Sequence, residues 1–204
     1  MSKKIKILDS ETGYNLAASV YDKKEKYLNS FEKGQLLPML GDVRGKKILD
    51  VGAGTGRVSV PLAKAGALVT AVDVSEAMFE ILKIKRLKDC KIETVVGDGE
   101  SLPFEDGAFD IVVAAFFIVH LKDPTRFFDE AYRVLKDGGI LLVTNINQKE
   151  PPEVETKAGA IIIESYYHRP EKVRESLEEL AFGVEEIMVK EGDTWVNQIL
   201  LCQK

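Results

Sequence analysis

Apolar residues recur along this chain with more than one spacing, and the changes of spacing mark its elements. In the first forty residues Leu16, Val20, Tyr27, Leu28, Phe31, Leu36, Leu37 and Leu40 lie among charges, which predicts two amphipathic helices. From Lys46 the pattern changes to short continuous apolar runs. Lys47–Val51 reads as a buried strand running into glycines, and residues 57–65 read as a helix closed by Gly66. A second strand follows over Leu68–Asp73. Ser75 is then placed as an N-cap, with Glu76 in the first turn and Met78, Phe79, Ile81 and Leu82 on the packing face.

The alternation continues. Ile92–Val96 is a third strand and 109–115 a fourth, entered from the turn signal Asp106-Gly107. Asp123-Pro124 predicts a helix with Asp as N-cap and Pro at the first helical position. Phe127, Phe128, Ala131, Val134 and Leu135 form its stripe, and Gly138-Gly139 ends it. A fifth strand covers 140–144, a short one lies near 160–163, and a helix spans 170–181. Strands over 184–189 and 195–202 are close enough in the chain to pair antiparallel. Repeated βα units predict an α/β, doubly wound, Rossmann-like fold. Its mainly parallel seven-stranded sheet has an antiparallel last strand and helices on both faces. In such sheets ligands sit beyond the carboxyl ends of the strands.

The 204 residues suit one domain: a helical cap over 1–44, a core over 45–148, and a sheet-completing, substrate-side part over 149–204. Little room is left for a large lid between the fifth strand and the 170–181 helix. With 28 Lys+Arg against 33 Asp+Glu, the net charge of -5 argues against nucleic acid as a partner. The basic run Lys83, Lys85, Arg86, Lys88 and Lys91 reads as a solvated helix end. No apolar run is long enough to span a membrane, and the basic residues 1–6 are not followed by a signal-like apolar segment. Cys90 and Cys202 stand apart, and His120 and His168 lack ligand spacing. Free thiols, a cytoplasmic location and no metal site are the expectation.

Gly52, Gly54 and Gly56 follow a strand and open a helix, where a tight turn lets a ligand approach the backbone. Their GxGxG spacing departs from the GxGxxG of dinucleotide sites, which weakens a nicotinamide-dependent oxidoreductase reading. Asp73 closes the second strand, where a carboxylate can accept from two ribose hydroxyls. Asp98 closes the third and can accept from an adenine amino group.

The stretches ILDVGAGTG, AVDVSEAM, VVGDGESLPFEDGAFDIVV and FFDEAYRVLKDGGILLV, in that order, resemble the class I S-adenosylmethionine-dependent methyltransferases, in particular the type 11 group. The resemblance implies that Asp50 and the loop Gly52, Ala53, Gly54, Thr55 and Gly56 hold the methionine part of the cofactor. It implies that Asp73 binds ribose, and that Asp98, Gly99 and Glu100 border the adenine. Val74 and Met78 would pack on the base, and Ala115 would lie near the sulfonium. Tyr14 and Tyr21 look like an aromatic cap. His120 is the candidate general base, or a histidine that orders its loop. Tyr166, Tyr167 and His168 either bind the acceptor or pack. A small-molecule acceptor is favoured, with a protein or RNA acceptor, or a non-catalytic cofactor-binding module, as alternatives. A monomer is the default oligomeric state.

Overall fold

In the computed structural model, which describes residues 5–32, 34–85 and 90–204, the first segment is more broken than the apolar spacing predicts. It holds β1 (Ile7–Leu8), α1 (Ser10–Tyr21), a 3-10 turn at Asp22–Lys24, α2 (Glu25–Ser30) and α3 (Leu36–Met39). The alternating core follows: β2 (Lys47–Val51), α4 (Ser59–Lys64), β3 (Leu68–Asp73), α5 (Glu76–Lys85), β4 (Ile92–Val96) and β5 (Phe109–Ala114). After a 3-10 turn at Ile118–His120 come α6 (Thr125–Val134), β6 (Leu135–Ile146), β7 (Glu153–Thr156) and β8 (Gly159–Ile163). The chain closes with α7 (Pro170–Glu179), β9 (Gly183–Glu191) and β10 (Thr194–Gln203).

The main sheet has seven strands in the order β4-β3-β2-β5-β6-β10-β9. β10 alone runs antiparallel to its neighbours β6 and β9. The central strands are buried on both faces, which is why they read as continuous apolar runs. Ile48 and Val113 join α4 and α5 in one core, while Leu49 and Val112 join α6 and α7 in the other. The chain winds outward from β2 to β4 and returns to β5 on the other side of β2. This switch point opens a crevice at the carboxyl ends of β2 and β5.

Of a second, three-stranded sheet in the order β1-β8-β7, the sequence reading holds only the short strand near 160–163, which is β8. β1 pairs parallel with β8, Ile7 opposite Ile162, and α1 lies against this sheet. Small residues make that contact: Ala17 is fully buried, and a Cβ on Gly13 would come within 2.6 Å of Ile163. Leu16, Tyr27 and Leu37, read as core-facing, are instead exposed.

Boundaries also move: the helix read over 57–65 is Ser59–Lys64, and the strand read over 140–144 is Leu135–Ile146. α6 begins at Thr125 with Pro124 in the cap position, and the Asp123 carboxylate accepts from the Thr125 N–H at 3.0 Å. The helix ends at Val134, because Leu135 already pairs with Phe109 in the sheet. Gly138-Gly139 therefore lies inside β6, in a bulge where the register moves from Phe109–Leu135 to Ile111–Ile140. α7 stops at Glu179. Of the basic run, Arg86 and Lys88 lie outside the described residues, as do residues 1–4; Lys83 pairs with Glu80. Among the described residues no helix is long and apolar enough to cross a membrane.

A buried ion pair ties the first segment to the core. The Arg57 guanidinium donates twice to Glu32, at 2.7 and 2.8 Å, and once to Asn29 at 3.0 Å. Removing one partner of such a pair strands a buried charge. Glu32→Ala is expected to cost about 3–5 kcal/mol of unfolding free energy in urea titration, and Glu32→Leu with Arg57→Met to recover most of it.

Candidate functional site

The crevice at the switch point is a cavity of about 350 Å³. Its floor is made by strand ends, and its glycine turn is built by backbone geometry. Gly52 and Gly54 have φ of 70° and 53°, left-handed values that favour glycine. The turn is laced to β3: Gly52 and Ala53 N–H donate to the Val72 carbonyl at 2.8 and 3.1 Å, and Gly54 N–H donates to Asp73 Oδ2 at 2.8 Å. The other Asp73 oxygen accepts from Ser75 N–H at 2.9 Å, at the start of α5. Ser75 also caps that helix, accepting from Met78 N–H at 3.2 Å as the sequence predicts.

Two aspartates lie at the strand ends beneath the cavity. Asp50 is buried in β2 and accepts from Ser59 Oγ at 2.5 Å. Burial pushes its carboxyl up to about 6, against the opposing pull of Ser59 and Arg57. Burial also raises Asp73, while its backbone donors hold it down. Asp98 is exposed and accepts from Glu100 N–H at 2.9 Å. The remaining lining is mostly apolar, with Val51, Val72, Val74, Met78, Ala115 and Leu121.

α1 covers the cavity. Tyr14 and Tyr21, two turns apart, meet edge to face at 5.7 Å between ring centroids. Tyr14 Oη lies 2.7 Å from His120 Nε2, and His120 Nδ1 lies 2.9 Å from the Glu164 carbonyl oxygen. Asn15 anchors the same helix to α5, accepting from Ser75 Oγ at 2.8 Å and from Ala77 N–H at 3.2 Å.

The sequence-predicted residues divide. Tyr14, Tyr21, Asp50, Gly52, Ala53, Gly54, Thr55, Asp73, Val74, Met78, Asp98, Gly99, Ala115 and His120 line the cavity. Gly56 packs against Leu82 and Glu100 sits just behind Asp98, neither in the lining. Tyr166, Tyr167 and His168 also lie outside it. Tyr166 N–H donates to the Val119 carbonyl at 2.7 Å, and Tyr167 leans on Trp195. His168 Nε2 donates to the Ile118 and Leu121 carbonyls, each at 3.0 Å, so it staples the turn that carries His120. Sequence reasoning missed Arg57, Phe116 and Phe117, which also line the cavity. Phe116 has φ of 58°, held by its N–H bond to Thr144 Oγ1 at 2.8 Å and by the Arg57 guanidinium 5.0 Å from its ring. Its place beyond the end of a strand was the available signal.

A raised carboxyl has a direct effect on stability. The folded state binds a proton at Asp50 that the unfolded chain has already released, so stability is lost as pH rises from about 4 through 6. Asp50→Asn is expected to flatten that decline, with its urea midpoint gaining on the parent between those values.

Residues 49–143 match the family model described as "Methyltransferase domain". A demethylmenaquinone methyltransferase of Clavibacter sepedonicus is 39% identical over 112 residues, covering 55% of this chain and 46% of the relative. A ubiquinone biosynthesis O-methyltransferase of Coxiella burnetii is 34% identical over 119 residues, covering 58% of this chain and 51% of the relative. The chain thus spans about half the length of these curated relatives. An S-adenosylmethionine-dependent methyltransferase from Mesorhizobium loti superposes with a TM-score of 0.72 at 18% identity, over 87% of this chain and 100% of that one. At that identity the likeness is one of fold.

Proposed function

We propose, from the premise that residues 49–143 are a methyltransferase domain, that this chain is an S-adenosylmethionine-dependent methyltransferase with a small-molecule acceptor. The observation that carries the reading is the pair of carboxylates, Asp50 and Asp73, set around a glycine turn at the ends of adjacent parallel strands. The cavity fits such a ligand chemically. Asp9, Glu11, Asp50, Asp73 and Asp98 line it, while its Arg57 is already paired with Glu32. This acid-rich wall suits a ligand that carries positive charge and ribose hydroxyl donors, and it opposes a pyrophosphate.

S-adenosylmethionine, when bound, supplies a methyl group activated on a sulfonium. In this reading Asp73 accepts from the ribose hydroxyls with the lone pairs left by its two backbone donors. Asp98 and Gly99 border the adenine, with Glu100 behind them, and Val74 and Met78 offer the base an apolar face. Asp50 and the turn Gly52–Ala53–Gly54 hold the methionine part, while Ala115 faces the reacting end. Thr55 and Gly56 shape the turn: Thr55 Oγ1 donates to Asp22 at 2.6 Å, and Gly56 packs on α5. Tyr14 and Tyr21 cover the ligand and exclude water, and His120 is the candidate for proton handling.

The small-molecule acceptor is supported by the relatives' names, one given for demethylmenaquinone and the other for ubiquinone biosynthesis. The protein is further read as one cytoplasmic, monomeric domain in which 1–44, 45–148 and 149–204 act together.

Calorimetry tests the site. Asp73→Ala is expected to weaken S-adenosylmethionine binding at least tenfold, as loss of hydrogen bonds to a charged group implies; unchanged affinity overturns the assignment. Methyl-labelled donor offered to size-fractionated cell extract is expected to label the small-molecule fraction, and label confined to protein or RNA overturns the acceptor class.

A further inference from the structure

Both ring nitrogens of His120 are engaged, and their partners differ in what they can do. The Glu164 carbonyl can only accept, so Nδ1 carries the proton in that 2.9 Å bond. A neutral ring then has its lone pair at Nε2, and Tyr14 Oη donates to it across 2.7 Å. His120 therefore has no free nitrogen for a molecule in the cavity, although it lines the wall. What it can take is the Tyr14 proton. Tyr14 lines the same cavity and also meets the Tyr21 hydroxyl, and its oxygen has two lone pairs, one for Tyr21 and one for a molecule in the cavity.

We infer that Tyr14 and His120 form a two-step proton relay for a protic acceptor, with Tyr14 touching the acceptor and His120 acting through Tyr14. The inference rests on the methyltransferase reading. The acceptor's O–H or N–H bond breaks and its proton passes to Tyr14 Oη, as Tyr14's own proton passes to His120 Nε2. The electron pair stays on the acceptor atom. The imidazolium so formed keeps its Nδ1–H on the Glu164 carbonyl, which disperses the new charge.

The surroundings set the resting protonation states. Burial holds His120 below its ordinary range, so the ring rests neutral near neutral pH with its Nε2 lone pair on the Tyr14 hydroxyl. Burial first, then Tyr21 and Asp73, hold Tyr14 well above its ordinary range, so it passes protons without resting as a phenolate. The charged groups that line the cavity with the pair are Asp9, Glu11, Asp50, Asp73 and Asp98, and Arg57, which is paired with Glu32. Their excess of carboxylates opposes an acceptor that arrives as an anion, so the proton is lost inside the site.

Two measurements on the intact chain test the relay. Nitrogen-15 NMR of the imidazole is expected to show the Nδ1–H tautomer, and an Nε2–H tautomer overturns the relay. His120→Gln keeps an acceptor for the Tyr14 hydroxyl but cannot take its proton. Both His120→Gln and Tyr14→Phe should slow labelled methyl transfer to the small-molecule fraction about 100-fold at neutral pH, with a deficit that shrinks as the acceptor ionises at higher pH. S-adenosylmethionine affinity should stay within about threefold in His120→Gln. A His120→Gln chain with the parent rate and pH profile reduces the contact to a structural bond and overturns the relay. A parent chain that transfers no label at all overturns the methyltransferase reading beneath it.

Discussion

The carboxylate of Asp73 holds two loops at once, and the shape of the cavity depends on that grip. One oxygen takes the Gly54 N–H and the other takes the Ser75 N–H. The first bond joins the turn after β2 to the end of β3, and the second sets the start of α5. Parallel pairing makes this possible, because Val51 and Val72 lie in register and so bring both strand ends to the same edge. The glycine turn is further fixed to the Val72 carbonyl by two N–H groups. The shape of the turn is thus set by its own hydrogen bonds to β3. The cover follows from the same point, since Ser75 also meets Asn15 of α1.

Much of this was legible in the sequence, and the part that was not has physical reasons. The strands of the main sheet were readable because burial on both faces demands unbroken apolar runs such as Ile48-Leu49 and Val112-Val113. The glycines and Asp73 were readable because local backbone geometry and strand ends place them. β1 was not readable: two residues carry no period, and their partner Ile162 lies far along the chain. Gly138-Gly139 misled because glycine serves equally as a helix stop and as a bulge. Only the pairing of Leu135 with Phe109, a long-range contact, decides between them. Tyr166, Tyr167 and His168 were grouped by chemical type, yet the chain there makes bonds to the 3-10 turn instead of facing the cavity.

α1 shows why an apolar stripe was the wrong guide to the cap. Its buried face consists of Gly13, Ala17 and Ala18, small because it lies directly on the β7–β8 sheet and beside α5. Its specific contacts are polar or amphipathic: Asn15 to the start of α5, Tyr14 to His120, and Tyr21 behind Tyr14. Leu16, the residue that looks most like core, is exposed. These polar bonds add to the packing of the small residues, so the place of α1 over the cavity is set by Asn15 on one helix and Tyr14 on His120, with Tyr21 against the Tyr14 ring.

The distribution of charge then separates this site from others that the same fold permits. A doubly wound sheet with a glycine turn at its switch point can accept nucleotides of many kinds. A phosphate-bearing ligand would use the N–H groups of the turn, but here Gly54 N–H is already given to Asp73. It would also need a cation, whereas the Arg57 guanidinium is already paired with Glu32, donates to Asn29 and lies over Phe116. What remains available is acceptor capacity on Asp50, Asp73 and Asp98, against a floor of valines and Met78. Such a wall suits hydroxyl and ammonium donors attached to an apolar body. The discrimination therefore lies less in the glycine spacing than in the commitment of the site's own donors to its own carboxylates.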